Sequence, residues 1–455
     1  MKSKLRQIFS GDTKVELTEG GIGKPLLYLS LPVVISNLLQ VAYNIVDVFW
    51  LGRVSTEALA AVGFVFPVIF FLVSLGIGLS IAGSIFVAQN QGKSDSVATE
   101  KAASQTLLYI SIFSVLIGIT GYFLSEQVIT LLGAEEDVIP LATDYLQIVS
   151  LGMILYFGFS VFNSLMRGYG DTVTPMLIMG GSVMLNMVLD PLLIFGWSFF
   201  PELGVEGAAL ATIISRGLGF AVGLYILFSG VKGLKVSLSQ MWPDLGYLKR
   251  TVFLGAPASL EIVTRSLSVN AILIIVGMFS TPVVAAYGIV IRIYSAVYLP
   301  AIAVSRSVET MTAQNHGAGK VGRAEKANAV ASKYILGILS VLGLFCIIFA
   351  SPVLSLFSSD PEVIAIGSEF LRILGLSFGF VGVKSIYNGG LRGIERTFTS
   401  AMVAVVTLWV IRIPFAYLSV DFMGETGIWW AFTVSNILGA VIGYLVFKKM
   451  IGREY

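Results

Sequence analysis

Ala88-Gln89-Asn90-Gln91-Gly92 returns as Ala313-Gln314-Asn315-His316-Gly317, 225 residues further along the chain. The same offset carries Pro32 onto Pro257, Gly52 onto Gly277, Ala60-Ala61 with Gly63 onto Ala285-Ala286 with Gly288, and Glu100-Lys101-Ala102 onto Glu325-Lys326-Ala327. It also aligns Val138-Ile139 with Val363-Ile364, Arg167-Gly168 with Arg392-Gly393, and Thr172 with Thr397, all without a gap. The chain is two copies of one structural unit.

Composition says where those copies reside. The chain is 56% hydrophobic and 12% charged, against a soluble norm of about 25% charged, too little polar material to cover a water-facing surface. Apolar stretches recur that are each long enough to cross a hydrocarbon core of about 30 Å at about 1.5 Å per helical residue. Twelve spans are predicted, at 25–52, 58–89, 103–124, 138–166, 174–197 and 206–229, then 247–278, 283–314, 328–349, 363–390, 398–420 and 427–447. The expected fold is an all-α polytopic membrane protein with twelve transmembrane helices in two pseudo-symmetric six-helix lobes. Its expected domains are an N-terminal segment (1–24), an N-lobe (25–229), an inter-lobe linker (230–246), a C-lobe (247–447) and a C-terminus (448–455). Twenty Lys and Arg fall on the side of the termini and even-numbered loops, against Arg53 alone on the other. The positive-inside rule then places both termini in the cytoplasm and the chain in the cell membrane as a multi-pass protein. Six spans per copy make the halves parallel repeats, and repeated halves point to a transporter with its site near the repeat interface.

Several function classes drop out. A net charge of +2 distributed as topology signals offers no nucleic-acid patch. Cys346 is the single cysteine and His316 the single histidine, so neither an internal disulfide nor a conventional metal site is expected. Gly92-Lys93-Ser94 resembles the end of a P-loop, but Val87 stands where that loop needs glycine, so ATP is not held that way. With no nucleophile-base pair, an enzyme is not expected, and no cofactor is implied beyond a coupling ion. Any pumping draws on an ion gradient, which directs attention to intramembrane carboxylates.

Asp47 in span one and Asp190 in span five have no Lys or Arg three or four residues away on their own helices. A carboxylate at the centre of a membrane helix costs about 2.5–3.5 kcal/mol on insertion scales, so both demand a reason. Asn37, Gln40, Asn44 and Asp47 are spaced to share one helix face, as are Asn186 and Asp190. In the C-lobe, Glu261 with Arg265, Arg306 with Glu309, and Glu369 with Arg372 are spaced as local ion pairs. The repeat sharpens the choice. Asp47 maps to Ile272, Tyr145 to Phe370, Asn37 to Ile262, Asn44 to Val269 and Thr212 to Phe432, and Asp190 meets Ile413 or Phe415. The scaffold stands without these polar groups in its second copy, so their presence in the first points to function. Seven of the eight Lys and Arg inside spans belong to the C-lobe, with Arg216 alone in the N-lobe. Arg292 and Arg412 are candidate cavity cations that would favour an anionic or zwitterionic cargo. Pro32, 15 residues before Asp47, permits a helix bend.

Pro32 through Asp47 with Gly52, the Ala88 loop and its twin at Ala313, Leu165-Met166-Arg167-Gly168 with Leu391-Arg392-Gly393, and Asn186 followed by Asp190-Pro191 resemble the multidrug and toxic compound extrusion (MATE) family. The resemblance covers essentially the whole chain. It implies a V-shaped pair of six-helix lobes and an antiporter exporting small amphipathic organic compounds against sodium or protons. Within the family the chain is similar to the DNA-damage-inducible branch of archaea and bacteria. That likeness implies a cation site at Asp47, Tyr145, Asn186, Asp190 and Thr212. The sodium-coupled exporter branch also uses acids on its seventh and tenth helices. Here Glu261 lies only four residues after Pro257 and Val381 to Lys384 supplies no Asp, a departure from that pattern.

Two carboxylates with an amide and a hydroxyl offer hard oxygen ligands for sodium at Asp47, Asn186, Asp190 and Thr212, and neighbouring carboxylates equally share a proton. The expected partners are the organic cargo and membrane lipids, with neither nucleic acid nor ATP, for a chain acting as a monomer. The alternative is a flippase for lipid-linked oligosaccharides or lipids, a relative with similar lobes.

Overall fold

The computed structural model describes residues 16–197 and 200–454. Lys2, Lys4, Arg6 and Lys14 of the N-terminal segment therefore lie outside the described residues. Among the described residues every regular element is helical, as a bilayer requires of a chain that must satisfy each backbone N–H and C=O from within. The first copy forms α1 (Gly23–Leu51), α2 (Thr56–Gly92), α3 (Ser96–Leu131), α4 (Ile139–Leu151), α5 (Met153–Tyr169), α6 (Val173–Ile194) and α7 (Gly204–Ser229). The second forms α8 (Leu245–Val276), α9 (Thr281–Gly317), α10 (Val321–Ile348), the short α11 (Ala350–Ser355), α12 (Pro361–Gly375), α13 (Phe378–Gly393), α14 (Thr397–Val405), a π-helical stretch (Val406–Arg412), α15 (Ile413–Met423) and α16 (Glu425–Ile451).

Ten of these segments are long and apolar enough to span a membrane singly, and two bent pairs bring the number to twelve. The bent pairs occupy the spans expected over 138–166 and 363–390. α4 and α5 meet at 51°, and α12 and α13 at 50°, at equivalent places in the two copies. In the first copy the break falls at Gly152, where Ile213 of α7 fills the space a Cβ would need. In the second, the Ser377 hydroxyl donates to the Leu374 carbonyl at 2.9 Å, satisfying a backbone group near the interruption. Interruptions of this kind are tolerated at membrane depth when the freed groups find partners.

The chain forms two compact units, one running from Ile35 to Ser259, the other made of Glu16–Val34 with Leu260 onward. Each division falls two residues after an in-helix proline: α1 passes from one unit to the other beyond Pro32, and α8 beyond Pro257. In unit 1, α2 packs on α3 and α5, and α6 on α7, around a core including Phe157, Phe162, Leu165 and Met166. In unit 2, α13 packs on α9, α10 and α16 around Phe370, Phe378, Trp429 and Phe432. The linker is held by unit 1. Gln105 donates to the carbonyls of Gln240 (2.6 Å) and Trp242 (2.7 Å). Lys101 pairs with Asp244 at 2.8 Å and holds that carboxyl below its ordinary range. Residues 17–21 are held by unit 2, where Asn315 and Arg323 donate to the Leu17 carbonyl and Arg323 also reaches those of Glu19 and Gly20.

The α6–α7 contact positions the site described next, and it depends on Gly207. A Cβ there would lie 2.6 Å from the Leu193 carbonyl carbon and 2.9 Å from the Ile194 nitrogen. Both are backbone atoms that cannot swing aside, so Gly207→Ala is expected to cost about 1–3 kcal/mol. A lower melting temperature of the purified protein is the measurement, and an unchanged one contradicts the packing account.

Candidate functional site in unit 1

Four helices converge on the first-copy carboxylates. α1 supplies Tyr43 and Asp47, α4 supplies Tyr145, α6 supplies Asn186 and Asp190, and α7 supplies Thr212 and Arg216. Asn186 and Asp190 are one turn apart on α6 and completely buried, and the Asn186 amide donates to Asp190 Oδ1 at 2.9 Å. Asp47 faces both within interaction range. Tyr145, buried on α4, feels the charges of Asp47, Asp190 and Arg216. Thr212 lies beside the Tyr43 hydroxyl. The five residues that the family resemblance implies are thus brought together within one unit.

The chemistry of the cluster follows from its loose ends. Tyr43 Oη, Asp47 Oδ1, Asn186 Oδ1, Asp190 Oδ2 and Thr212 Oγ1 are buried oxygens that form no hydrogen bond of good geometry, although within the cluster Asp47 faces Asp190 and Asn186, and Tyr43 faces Thr212. Buried polar atoms are ordinarily paired, because an unpaired one keeps its full desolvation cost. Five oxygens left this way form a set suited to a hard cation or a proton. Among the described residues no group of three or more His, Cys, Asp and Glu exists to hold a metal of higher charge. With both carboxylates ionised beside one guanidinium the cluster carries one excess negative charge, which a single proton or a monovalent ion answers.

Arg216 and Tyr43 are the members that reading the sequence did not assign to the site. Arg216 donates to Gln40 Oε1 at 3.0 Å and stacks over Tyr156 (4.3 Å) and Tyr43 (5.0 Å). Among the described residues it makes no ion pair with either carboxylate, but it lies within electrostatic range of Asp47. Its signal in the sequence was its solitude as the one basic residue inside a first-copy span. The stripe on α1 divides: Gln40 donates to Asn44 at 3.1 Å and receives Arg216, Asn44 is exposed, and Asn37 Nδ2 is buried without a partner. Pro32 is buried in the part of α1 that belongs to unit 2, whereas Asp47 belongs to unit 1.

The paralogous positions in unit 2 are filled with rings and aliphatic carbon. Phe370 stacks on Trp429 with centroids 4.0 Å apart and lies 5.6 Å from Phe432. Ile272, Phe370 and Phe432 are completely buried in the same core. Of the expected local pairs, Glu261–Arg265 (3.9 Å) and Arg306–Glu309 (3.5 Å) are present. Glu369–Arg372 is not: Glu369 instead accepts from Thr426 across to α16 at 2.8 Å. Of the two candidate cavity cations, Arg412 is buried and Arg292 is exposed.

The family model MatE matches residues 32–192 and again 257–418, once in each copy. The chain belongs to the MATE family. It is a multi-pass membrane transporter, not an enzyme. It is 28% identical over 435 residues to the probable multidrug resistance protein YpnP of Bacillus subtilis, covering 95% of this chain and 96% of that one. It is 29% identical to an FAD transporter of Shewanella oneidensis over 434 residues, covering 95% and 96%. A solved MOP superfamily transporter from Pyrococcus furiosus superposes with a TM-score of 0.89 at 27% identity, covering 97% of this chain and 99% of that one.

A guanidinium that stacks on two rings while donating to Gln40 is not replaceable by an ammonium. Arg216→Lys in this MATE protein is therefore expected to cost about 1–3 kcal/mol of stability, whereas Arg372→Lys, on an exposed residue of α12, costs little. Thermal unfolding in detergent compares the two, and equal melting temperatures would show that Arg216 is not a structural partner of α1.

Proposed function

We propose that this protein exports small amphipathic organic compounds in exchange for H+ or Na+, by alternating access, with the ion taken among Asp47, Tyr145, Asn186, Asp190 and Thr212. The observation that carries the reading is the set of buried oxygens on Asp47, Asn186, Asp190 and Thr212, with Tyr43 beside them, that lack a hydrogen bond of good geometry. A monovalent cation answers both the excess negative charge and the missing hydrogen-bond partners. When it leaves, the carboxylates repel each other and the helices carrying them are driven to a different packing. α1 is the element suited to report that change, because Asp47 lies in unit 1 and Pro32 precedes the residue at which the helix passes to unit 2. Proline removes one helical hydrogen bond, so bending there is cheap. The charge bias of the loops supports cytoplasmic termini, with the ion entering from the opposite face. The relatives include a probable multidrug resistance protein and an FAD transporter, so drug-like and anionic cargo are both compatible with the family.

In proteoliposomes with a sodium or a proton gradient imposed separately, one gradient should drive efflux of a fluorescent drug. Asp47→Asn and Asp190→Asn should each abolish the driven component while leaving the protein folded. If both variants transport at the wild-type rate, the unit 1 carboxylates are not the coupling site.

A further inference from the structure

Unit 2 holds a second buried polar cluster of the opposite sign. Arg392 on α13 donates to Glu309 at 2.7 Å and to both oxygens of Glu261 at 3.0 Å. Asn388 and Ser400 complete the contacts to Glu261, at 3.1 and 2.7 Å. Around this core, in which one guanidinium faces two carboxylates, stand further cations. Arg306 and Arg265 approach Glu309 and Glu261 at 3.5 and 3.9 Å, while Lys384 and Arg412 sit within electrostatic range of Arg265 and of each other. Five basic side chains therefore gather with two carboxylates, an excess of three, of which Arg265 is partly exposed and Lys384 and Arg412 are buried.

Lys384 is the sharpest case. It is 7% exposed, and among the described residues it has neither a hydrogen bond nor an ion pair. Its stem runs where a Cβ on Gly439 would be, 2.7 Å from Lys384 Cδ and 2.7 Å from Thr407 Cγ2, so the glycine makes room for the lysine. Arg412 is positioned rather than paired. It donates to Ser435 at 2.8 Å and Asn436 at 2.9 Å, and stacks over Phe432 at 4.3 Å. Asn436 in turn donates to Ser377 at 3.0 Å, at the break that exposes the positive end of α13 to the same region. Arg412 also closes the π-helical stretch, an irregularity common at functional sites. At the 225-residue offset Lys384 falls on Phe159 and Glu261 on Ser36, so this scaffold stands without those charges in its first copy. Isolated charge at membrane depth is costly, and where it persists it marks a ligand or ion path.

We infer that Lys384, Arg412 and Arg265 form an anion site in unit 2 that receives a phosphate or carboxylate group of the transported molecule. The inference rests on the reading of the protein as an exporter and adds a substrate class to it: organic anions or zwitterions. A phosphate oxygen would accept from the Lys384 ammonium and the guanidinium edges left open by Ser435 and Asn436, supplying the negative charge the cluster lacks.

Riboflavin 5′-phosphate and riboflavin are fluorescent and differ only by a phosphate, so they isolate the anion's contribution. The wild-type protein in detergent should bind the phosphate form at least about tenfold more tightly. Lys384→Met, which keeps the stem and removes the charge, should lose that preference while melting no lower than the wild type, since an unpaired buried charge contributes no stability. Asp47→Asn should retain the preference even though it disables the ion step. The anion site and the coupling site can therefore fail independently. Equal affinities in the wild type, or an intact preference in Lys384→Met, would overturn the inference. In bilayers with phosphatidylglycerol replacing phosphatidylcholine, displacement of the probe assigns the natural anion to a lipid headgroup, and undiminished binding assigns it to soluble cargo. Both results keep the site.

Discussion

A charge inside a bilayer has to be answered by another charge, by hydrogen bonds or by a ligand, and this molecule uses the first two within one repeated scaffold. In unit 2, Glu261 and Glu309 are answered within the protein by Arg392 at 2.7–3.0 Å. Such a triad is costly to assemble but costly to break once formed. In unit 1, Asp47 and Asp190 have only a neighbouring amide and a guanidinium committed elsewhere. The first arrangement is locked, whereas the second is left needing something that can come and go. That difference separates a structural ion network from a candidate ion site, and burial adds to it, since Glu261 and Glu309 are both buried whereas Asp190 is buried and Asp47 only half-buried.

Backbone constraints decide where movement is cheap. Most spans are continuous helices whose hydrogen bonds resist bending. Two kinds of exception are shared by the copies: prolines at Pro32 and Pro257 just ahead of the unit divisions, and breaks of 51° and 50° at equivalent spans. Because both copies keep these features, they belong to the scaffold's mechanics rather than to either site. Two of the site residues of unit 1 sit on helices carrying such features. Asp47 follows Pro32 on α1, and Tyr145 precedes the Gly152 break on α4. A change of charge at the cluster thus acts on elements with a place to give.

The architecture could be read from the chain because it rests on two signals that survive without a third dimension: the 225-residue repeat and the lengths of its apolar stretches. Asp47, Asn186 and Asp190 were readable because an unpaired carboxylate in a membrane helix is conspicuous and helical spacing fixes which neighbours share its face. Arg216 was not assignable, since its partners Gln40, Tyr43 and Tyr156 come from helices whose mutual register no spacing rule supplies. Glu369 failed for the same reason: Arg372 lies within reach on its own helix, but Thr426 on another is better placed. The breaks at Gly152 and Ser377 were hidden because an apolar stretch has the same composition whether straight or bent.

Comparing the two copies turns these observations into a statement about cargo. Where unit 1 carries Asp47, Tyr145 and Thr212, unit 2 carries Ile272, Phe370 and Phe432. Where unit 2 carries Glu261 and Lys384, unit 1 carries Ser36 and Phe159. At these positions unit 2 supplies apolar side chains where unit 1 bears polar ones, and unit 1 supplies uncharged side chains where unit 2 bears charges, so the helix bundle does not require these groups. One cluster ends with an excess of negative charge and the other with an excess of positive charge. A transporter whose halves differ in this way is suited to taking a cation in the first and an anionic group in the second, and exchange requires only that filling one changes the cost of filling the other.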